Sequence, residues 1–168
     1  MTYFKNHILR VFVLFSLLAS ALAIAVTNQG FMDFDGKVRQ LDEYTQNNKW
    51  TVVMFWASDC HVCNAESQQY VDFYQRHQAE NIQVVGVSMD GYAGKAAAEG
   101  FVERNGITFP NLIIDSQSGA DYYTDNTGEA WIGTPSFMIY KPTGELAAAQ
   151  VGAVPPALIE AYISKNSL

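Results

Sequence analysis

Residues 49–58, KWTVVMFWAS, leave few folds open. The run is β-branched and aromatic with no polar alternation, which describes a strand covered on both faces. Such strands belong to sheets with helices on each side, and a second one, IQVVGVSMD at 82–90, follows after one helix-sized interval. In that interval Val62, Ala65, Tyr70, Phe73 and Tyr74 recur at roughly helical spacing, so a helix is expected from His61 to about Gln78.

The flanking segments extend the same logic. GFMDFDGKVRQLDEY alternates apolar and polar residues around Asp35-Gly36, which predicts a hairpin of Phe31–Phe34 and Lys37–Leu41, then a helical turn from Asp42. GKAAAEGFVERN favours a helix that stops at Gly106, and FPNLIID gives a third strand. SQSGADYYTDNTGEAWIG reads as a short helix and a loop. TPSFMIYKPTGELAAAQVG reads as two strands around Pro142-Thr143-Gly144, expected to add antiparallel edge strands. Pro155 and Pro156 then open a last helix, PALIEAYISKN. Alternating strands and helices imply parallel pairing with right-handed crossovers.

The first residues follow a different pattern. Lys5 and Arg10 precede the apolar run Val11–Val26, which is shorter than the roughly 20 residues of a spanning helix. Small residues at Ala21, Ala23 and Ala25 provide cleavage-site patterns. Residues 1–25 are therefore expected to be a signal peptide, or else an uncleaved N-terminal anchor, with a single domain over 26–168. The domain is expected to be exported into a periplasm. A formal charge of −7, with ten scattered Lys and Arg, excludes nucleic acid as a partner because no basic stripe exists.

The chain has two cysteines, Cys60 and Cys63, where the first buried strand gives way to a helix. Three uses compete for such a pair: a staple, a metal clamp and a reactive dithiol. As a staple it encloses almost no loop and restricts the unfolded chain little. Zinc needs four ligands, or three and a water. There is no second Cys pair, His77 lies far down the same helix and His7 lies in the targeting segment, so no metal is expected. A dithiol suits the position, since the dipole and free N–H groups of a helix start stabilise a thiolate at Cys60. Cys63, one turn inside, is the natural resolving thiol. His61, when protonated, should lower the Cys60 pKa, while Asp59 should raise it. A peroxiredoxin-type site would carry Pro and Thr or Ser seven and three residues before the reactive Cys, where this chain has Val53 and Ala57.

With these motifs in place, the chain resembles the thioredoxin-like family, and within it the exported TlpA/ResA-type thiol–disulfide oxidoreductases. FMDFDGKVRQLDEY is similar to the group's opening hairpin, VVMFWASDCHVCNAE to its active-site segment and GTPSFMIYKPTGEL to its cis-proline strand, so the resemblance runs from Gly30 to about Asn166. It implies a thioredoxin-like α/β fold: a central mixed β-sheet flanked by helices, with an N-terminal β-hairpin extension. It also implies that Pro135 is cis, that Thr134 and Pro135 pair with substrate backbone, and that Glu66 passes a proton to or from the buried thiol. The alternative for Glu66 is a solvated helix carboxylate. Two positions depart from the thioredoxin pattern. Met54 stands where thioredoxins bury an Asp, and Asp59 where they carry a Trp before the first Cys.

The resemblance further implies protein thiols and disulfides as substrates, reductant action on targets such as apocytochrome c thiols, a membrane electron-donor or oxidant partner, no cofactor and a monomer. His61 between the cysteines argues for a more oxidising poise. The competing class is a thioredoxin-fold binding or metal-delivery module without redox turnover. Tyr122, Tyr123 and Trp131 either line a groove beside the dithiol or cap the core beneath a loop.

Overall fold

A computed structural model describes residues 30–167; the targeting segment expected over 1–25 lies outside the described residues. A seven-stranded mixed sheet carries the fold, in the order β2-β1-β5-β4-β3-β6-β7. The hairpin strands β1 (Phe31–Asp33) and β2 (Val38–Arg39) turn at Asp35-Gly36, where Gly36 has φ 83° and so takes the left-handed conformation at little steric cost. The turn α1 (Asp42–Thr45) leads into β3 (Trp50–Trp56), every residue of which is buried.

β3 is followed by α2 (His61–His77), β4 (Ile82–Ser88), α3 (Lys95–Arg104), β5 (Asn111–Ile113) and α4 (Ser116–Thr127). β3, β4 and β5 run parallel, while β1 is antiparallel to β5. The chain closes with β6 (Ser136–Tyr140), β7 (Leu146–Val151) and α5 (Pro156–Asn166). The thioredoxin-like architecture expected from the sequence is present.

The continuous run in β3 follows from the two-residue period of a strand. Val52, Met54 and Trp56 face a core shared with Tyr70 and Phe73 of α2, Phe101 of α3 and Ile159 of α5. Val53 and Phe55 face a second core with Leu112, Tyr123 of α4 and Met138. Burying each large side chain of this kind stabilises the fold by about 1.5–3 kcal/mol.

One expectation is corrected. The final hairpin does not add two edge strands: β6 pairs with β3 on one side and β7 on the other, so only β7 is an edge. The five residues of β6 are all buried, which is the pattern of an interior strand. The helix expected after Asp115 is present, three turns long and followed by a loop. Asp115 caps it by accepting the Ser118 N–H at 2.9 Å, and Gly128 ends it in the left-handed conformation.

Candidate active site

The parallel strands β3 and β4 end side by side, Trp56 opposite Ser88, and the segment after β3 forms the site at their carboxyl ends. Cys60 is the N-cap of α2 and its Sγ accepts the Cys63 N–H at 3.1 Å. A side chain at this position meets the unpaired N–H groups of the first turn and the positive end of the helix dipole. The two cysteines are joined as a disulfide with Cα atoms 5.2 Å apart. Cys60 is half-buried and Cys63 is fully buried, so the bond presents the Cys60 sulfur outward.

The loop before β6 faces this sulfur. Thr134–Pro135 is a cis peptide, and the Thr134 carbonyl oxygen lies 3.5 Å from Cys60 Sγ. The Ser136 hydroxyl donates to the Gly133 carbonyl, and the Gly152 N–H of the neighbouring strand end donates to the Pro135 carbonyl at 2.8 Å. The loop is therefore tied to β6 and to the end of β7.

Glu66 lies one helical turn beyond Cys63, on the same side of α2. The residue is half-buried, and its Oε2 is buried without a hydrogen-bond partner. Desolvation raises the pKa of this carboxyl above its ordinary value. One carboxylate oxygen is thus withdrawn from solvent while the residue as a whole stays partly exposed. His61 is exposed at the first helical position, beside exposed Asp59. Met54 is buried in the core on β3, leaving an apolar side chain at the position where thioredoxins place an acid.

The three aromatics after α4 begins are packing residues. Tyr123 is fully buried and meets Phe55 edge-on at 6.2 Å, Tyr122 meets Phe31 at 5.0 Å, and Trp131 packs against the same core. They pack onto the second core, Tyr122 and Tyr123 from α4 and Trp131 from the segment after it.

A polar network around the site was not anticipated from the sequence. Asp90, just past β4, accepts the Ser58 N–H at 3.1 and 3.2 Å, the Ser58 hydroxyl at 2.7 Å and the Ser88 hydroxyl at 2.6 Å. From the other side, Asn64 Nδ2 donates to the Cys60 carbonyl at 2.9 Å and the Ser58 carbonyl at 3.4 Å. Asn105 Nδ2 donates to Asn64 Oδ1 at 3.4 Å, and the Ser67 hydroxyl donates to Asn105 Oδ1 at 2.8 Å. The available signal was Ser88-Met89-Asp90 itself, two polar residues at alternate positions closing an apolar strand at the end of the sheet where sites form.

Comparison with known proteins agrees with the fold. The chain is 26% identical over 105 residues to the sporulation thiol-disulfide oxidoreductase A of Bacillus subtilis, a match covering 61% of this chain and 59% of that protein. It is 27% identical over 117 residues to the thiol-disulfide oxidoreductase ResA of Oceanobacillus iheyensis, covering 69% of this chain and 56% of that one. The chain thus spans less than two thirds of the length of these relatives. Among solved structures, a thiol:disulfide interchange protein of the thioredoxin family from Chlorobium tepidum superposes with a TM-score of 0.66 at 16% identity, over 80% of this chain and 89% of its own. StoA from Bacillus subtilis superposes with a TM-score of 0.61 at 20% identity, over 79% and 92%. The profile of the AhpC/TSA family matches residues 20–149, most of the molecule, and the chain belongs to that family.

Proposed function

We propose that this protein is a thiol–disulfide oxidoreductase that exchanges disulfides with protein substrates and acts as a reductant. The observation that carries this reading is the position of Cys60 Sγ, at the start of α2 and 3.5 Å from the Thr134 carbonyl of the cis-proline loop. The relatives named as thiol-disulfide oxidoreductases support it.

In the reducing direction the Cys60 thiolate attacks one sulfur of a substrate disulfide. A Cys60–substrate disulfide forms and the other substrate sulfur leaves as a thiolate. Cys63 gives its proton to Glu66 and attacks Cys60 Sγ, which closes the Cys60–Cys63 bond and releases the second substrate thiolate. Two electrons pass from the protein dithiol to the substrate, and the two substrate thiolates take up protons. An external dithiol donor restores the reduced state. Thr134 and Pro135 align the substrate backbone beside Cys60, and His61, exposed next to the nucleophile, contacts the substrate.

Residues 1–25 direct export in this reading, cleaved or kept as an anchor, and residues 26–168 act in the cell envelope with a membrane partner as electron source. Among the described residues no helix is long and apolar enough to cross a membrane. The Lys5–Arg10 start and the apolar run after it support the assignment.

Equilibration of the mature domain in glutathione buffers tests the proposal. A reductant has a potential near about −270 mV, and one near about −120 mV marks an oxidant. No exchange at any poise removes the enzyme reading and leaves a binding module.

A further inference from the structure

Among the described residues, Asp90 makes its carboxylate hydrogen bonds with the segment that carries the nucleophile or with the strand beside it. Ser58, two residues before Cys60, gives Asp90 both its N–H and its hydroxyl, while the Ser58 carbonyl accepts from Asn64 of α2. All the polar groups of Ser58 are thereby held. The Ala57 carbonyl accepts the Cys60 N–H at 3.1 Å, and the Met89 N–H donates to the Trp56 carbonyl at 2.8 Å, so the ends of β3 and β4 are tied to each other beside Asp90. Gly94 makes room for the arrangement: a Cβ there would lie 2.9 Å from that of Asp90.

The electrostatic consequence follows from the position. α2 has no acidic residue in its first turn, and Glu66, the nearest carboxyl of the helix, stands a turn beyond Cys63, so the first turn itself leaves the stabilisation that the dipole offers to a Cys60 thiolate unopposed. Asp90 and Asp59 are the carboxylates just ahead of the helix. Asp59 is exposed and screened by salt, whereas Asp90 is half-buried and fixed by short hydrogen bonds.

Resting on the dithiol reading above, we infer that Asp90 is a positioning residue that both fixes the Ser58–Cys60 segment and lowers the reduction potential of the Cys60–Cys63 pair. A carboxylate beside the start of α2 destabilises the thiolate, and a dithiol with a less stable reduced form is the stronger reductant. The same device offsets the oxidising influence of His61.

Two substitutions in the mature domain test this, each read by glutathione equilibration, by thiolate absorbance of the reduced protein against pH, and by thermal melting. Asp90→Asn keeps an acceptor for Ser58 and a donor for the Ser88 hydroxyl while removing the charge. It is expected to shift the exchange equilibrium at least threefold toward the dithiol and to move the Cys60 titration to lower pH. Ser88→Ala withdraws one donor from the carboxylate, leaves its charge less compensated, and is expected to shift the equilibrium the opposite way. If Asp90→Asn fails to fold, the direction of Ser88→Ala decides. Variants that lose melting temperature with the equilibrium and the Cys60 titration unmoved overturn the inference and leave Asp90 a loop staple. A wild-type protein that exchanges with nothing overturns the dithiol reading instead.

Discussion

Tyr70, one helical turn beyond Glu66, gives its hydroxyl hydrogen to the Val154 carbonyl oxygen, so the hydroxyl that shares the Glu66 side of α2 is engaged elsewhere. Glu66 therefore keeps a buried, unpartnered carboxylate oxygen one turn from Cys63. Burial raises the Tyr70 pKa strongly and the Glu66 charge raises it further, so the phenol does not serve as a proton acceptor near neutral pH. In the proposed chemistry the carboxyl is the group assigned to take a proton from the buried thiol.

Substituting Glu66 by Gln should slow resolution of the mixed disulfide by about 10²-fold, the typical effect of losing a general base. Attack by Cys60 should be almost unchanged. The stability effect has the opposite sign. The folded-state pKa of Glu66 lies above its ordinary 4.5, so its contribution is complete below that value and is lost as pH rises through the folded one. At pH 7 Glu66→Gln should be at least as stable as the wild type. Stopped-flow mixed-disulfide kinetics and urea melts check the two halves; slow resolution accompanied by a large loss of stability would contradict the proton-transfer role.

The far end of α2 holds a different pH dependence. Burial lowers the His77 pKa, but hydrogen bonds to Glu160 at 2.7 Å and Glu80 at 2.9 Å, with the charges of both, outweigh it and raise the pKa above 6.5. The His77 and Arg76 hydrogen bonds lower that of Glu160, against a smaller opposing effect of burial. The Glu160 contribution is thus present above about 4.5 and the His77 contribution is lost above about 6.5. Glu160→Gln should cost about 0.5–1 kcal/mol near pH 5.5 and less at pH 8.5, where Arg76 is the remaining partner. Thermal melts at the two pH values check this, and an equal cost at both would rule out the His77 link.

Gly86, in the middle of β4, is required by a contact that crosses it. Trp56 Nε1 donates to Asn111 Oδ1 at 3.1 Å over the glycine, and a Cβ there would stand 1.9 Å from that oxygen. Asn111→Ala should leave the indole N–H unpaired and cost about 1–3 kcal/mol. At about 2–4 °C per kcal/mol this is visible by calorimetry. Gly86→Ala should cost at least as much, since it displaces Asn111 and crowds Trp56, which stacks on Phe101 at 4.3 Å. A Gly86→Ala protein with wild-type melting would show that the strand can shift without loss.

The residues that declared themselves in the sequence are those whose environment is set by local period. β3 was legible because Val52, Met54 and Trp56 alternate with Val53 and Phe55 into two cores. Cys60 could be placed at a helix start because a buried strand and an amphipathic helix meet there. β6 was misplaced because a hairpin signal says which strands pair, not which further neighbour one of them finds; its pairing with β3 is long-range. The Asp90–Ser58 bonds were hidden for the same reason, since they span two strands and depend on parallel pairing that brings Trp56 opposite Ser88. Tyr122, Tyr123 and Trp131 were ambiguous because aromatic composition alone does not distinguish a groove from a cap.

The division of labour between the cysteines gives the most direct test of the proposed chemistry. Cys60 is the half-buried sulfur facing Thr134, and Cys63 has no solvent exposure. A substrate sulfur can therefore reach Cys60, while Cys63 meets only a sulfur already bonded to Cys60. With Cys63→Ser, attack at Cys60 should proceed and resolution should stop, so that a mixed disulfide with a disulfide-containing peptide accumulates. Cys60→Ser should form no adduct, its remaining thiol being enclosed. Mass spectrometry of each variant after brief exposure to the oxidised peptide, quenched in acid, reads the outcome. Adducts on the Cys60→Ser variant at a rate comparable to those on Cys63→Ser would reverse the assignment of nucleophile and resolver. In that event Glu66, one turn from Cys63, would assist the first attack, and the pH profile of adduct formation rather than of resolution would respond to Glu66→Gln.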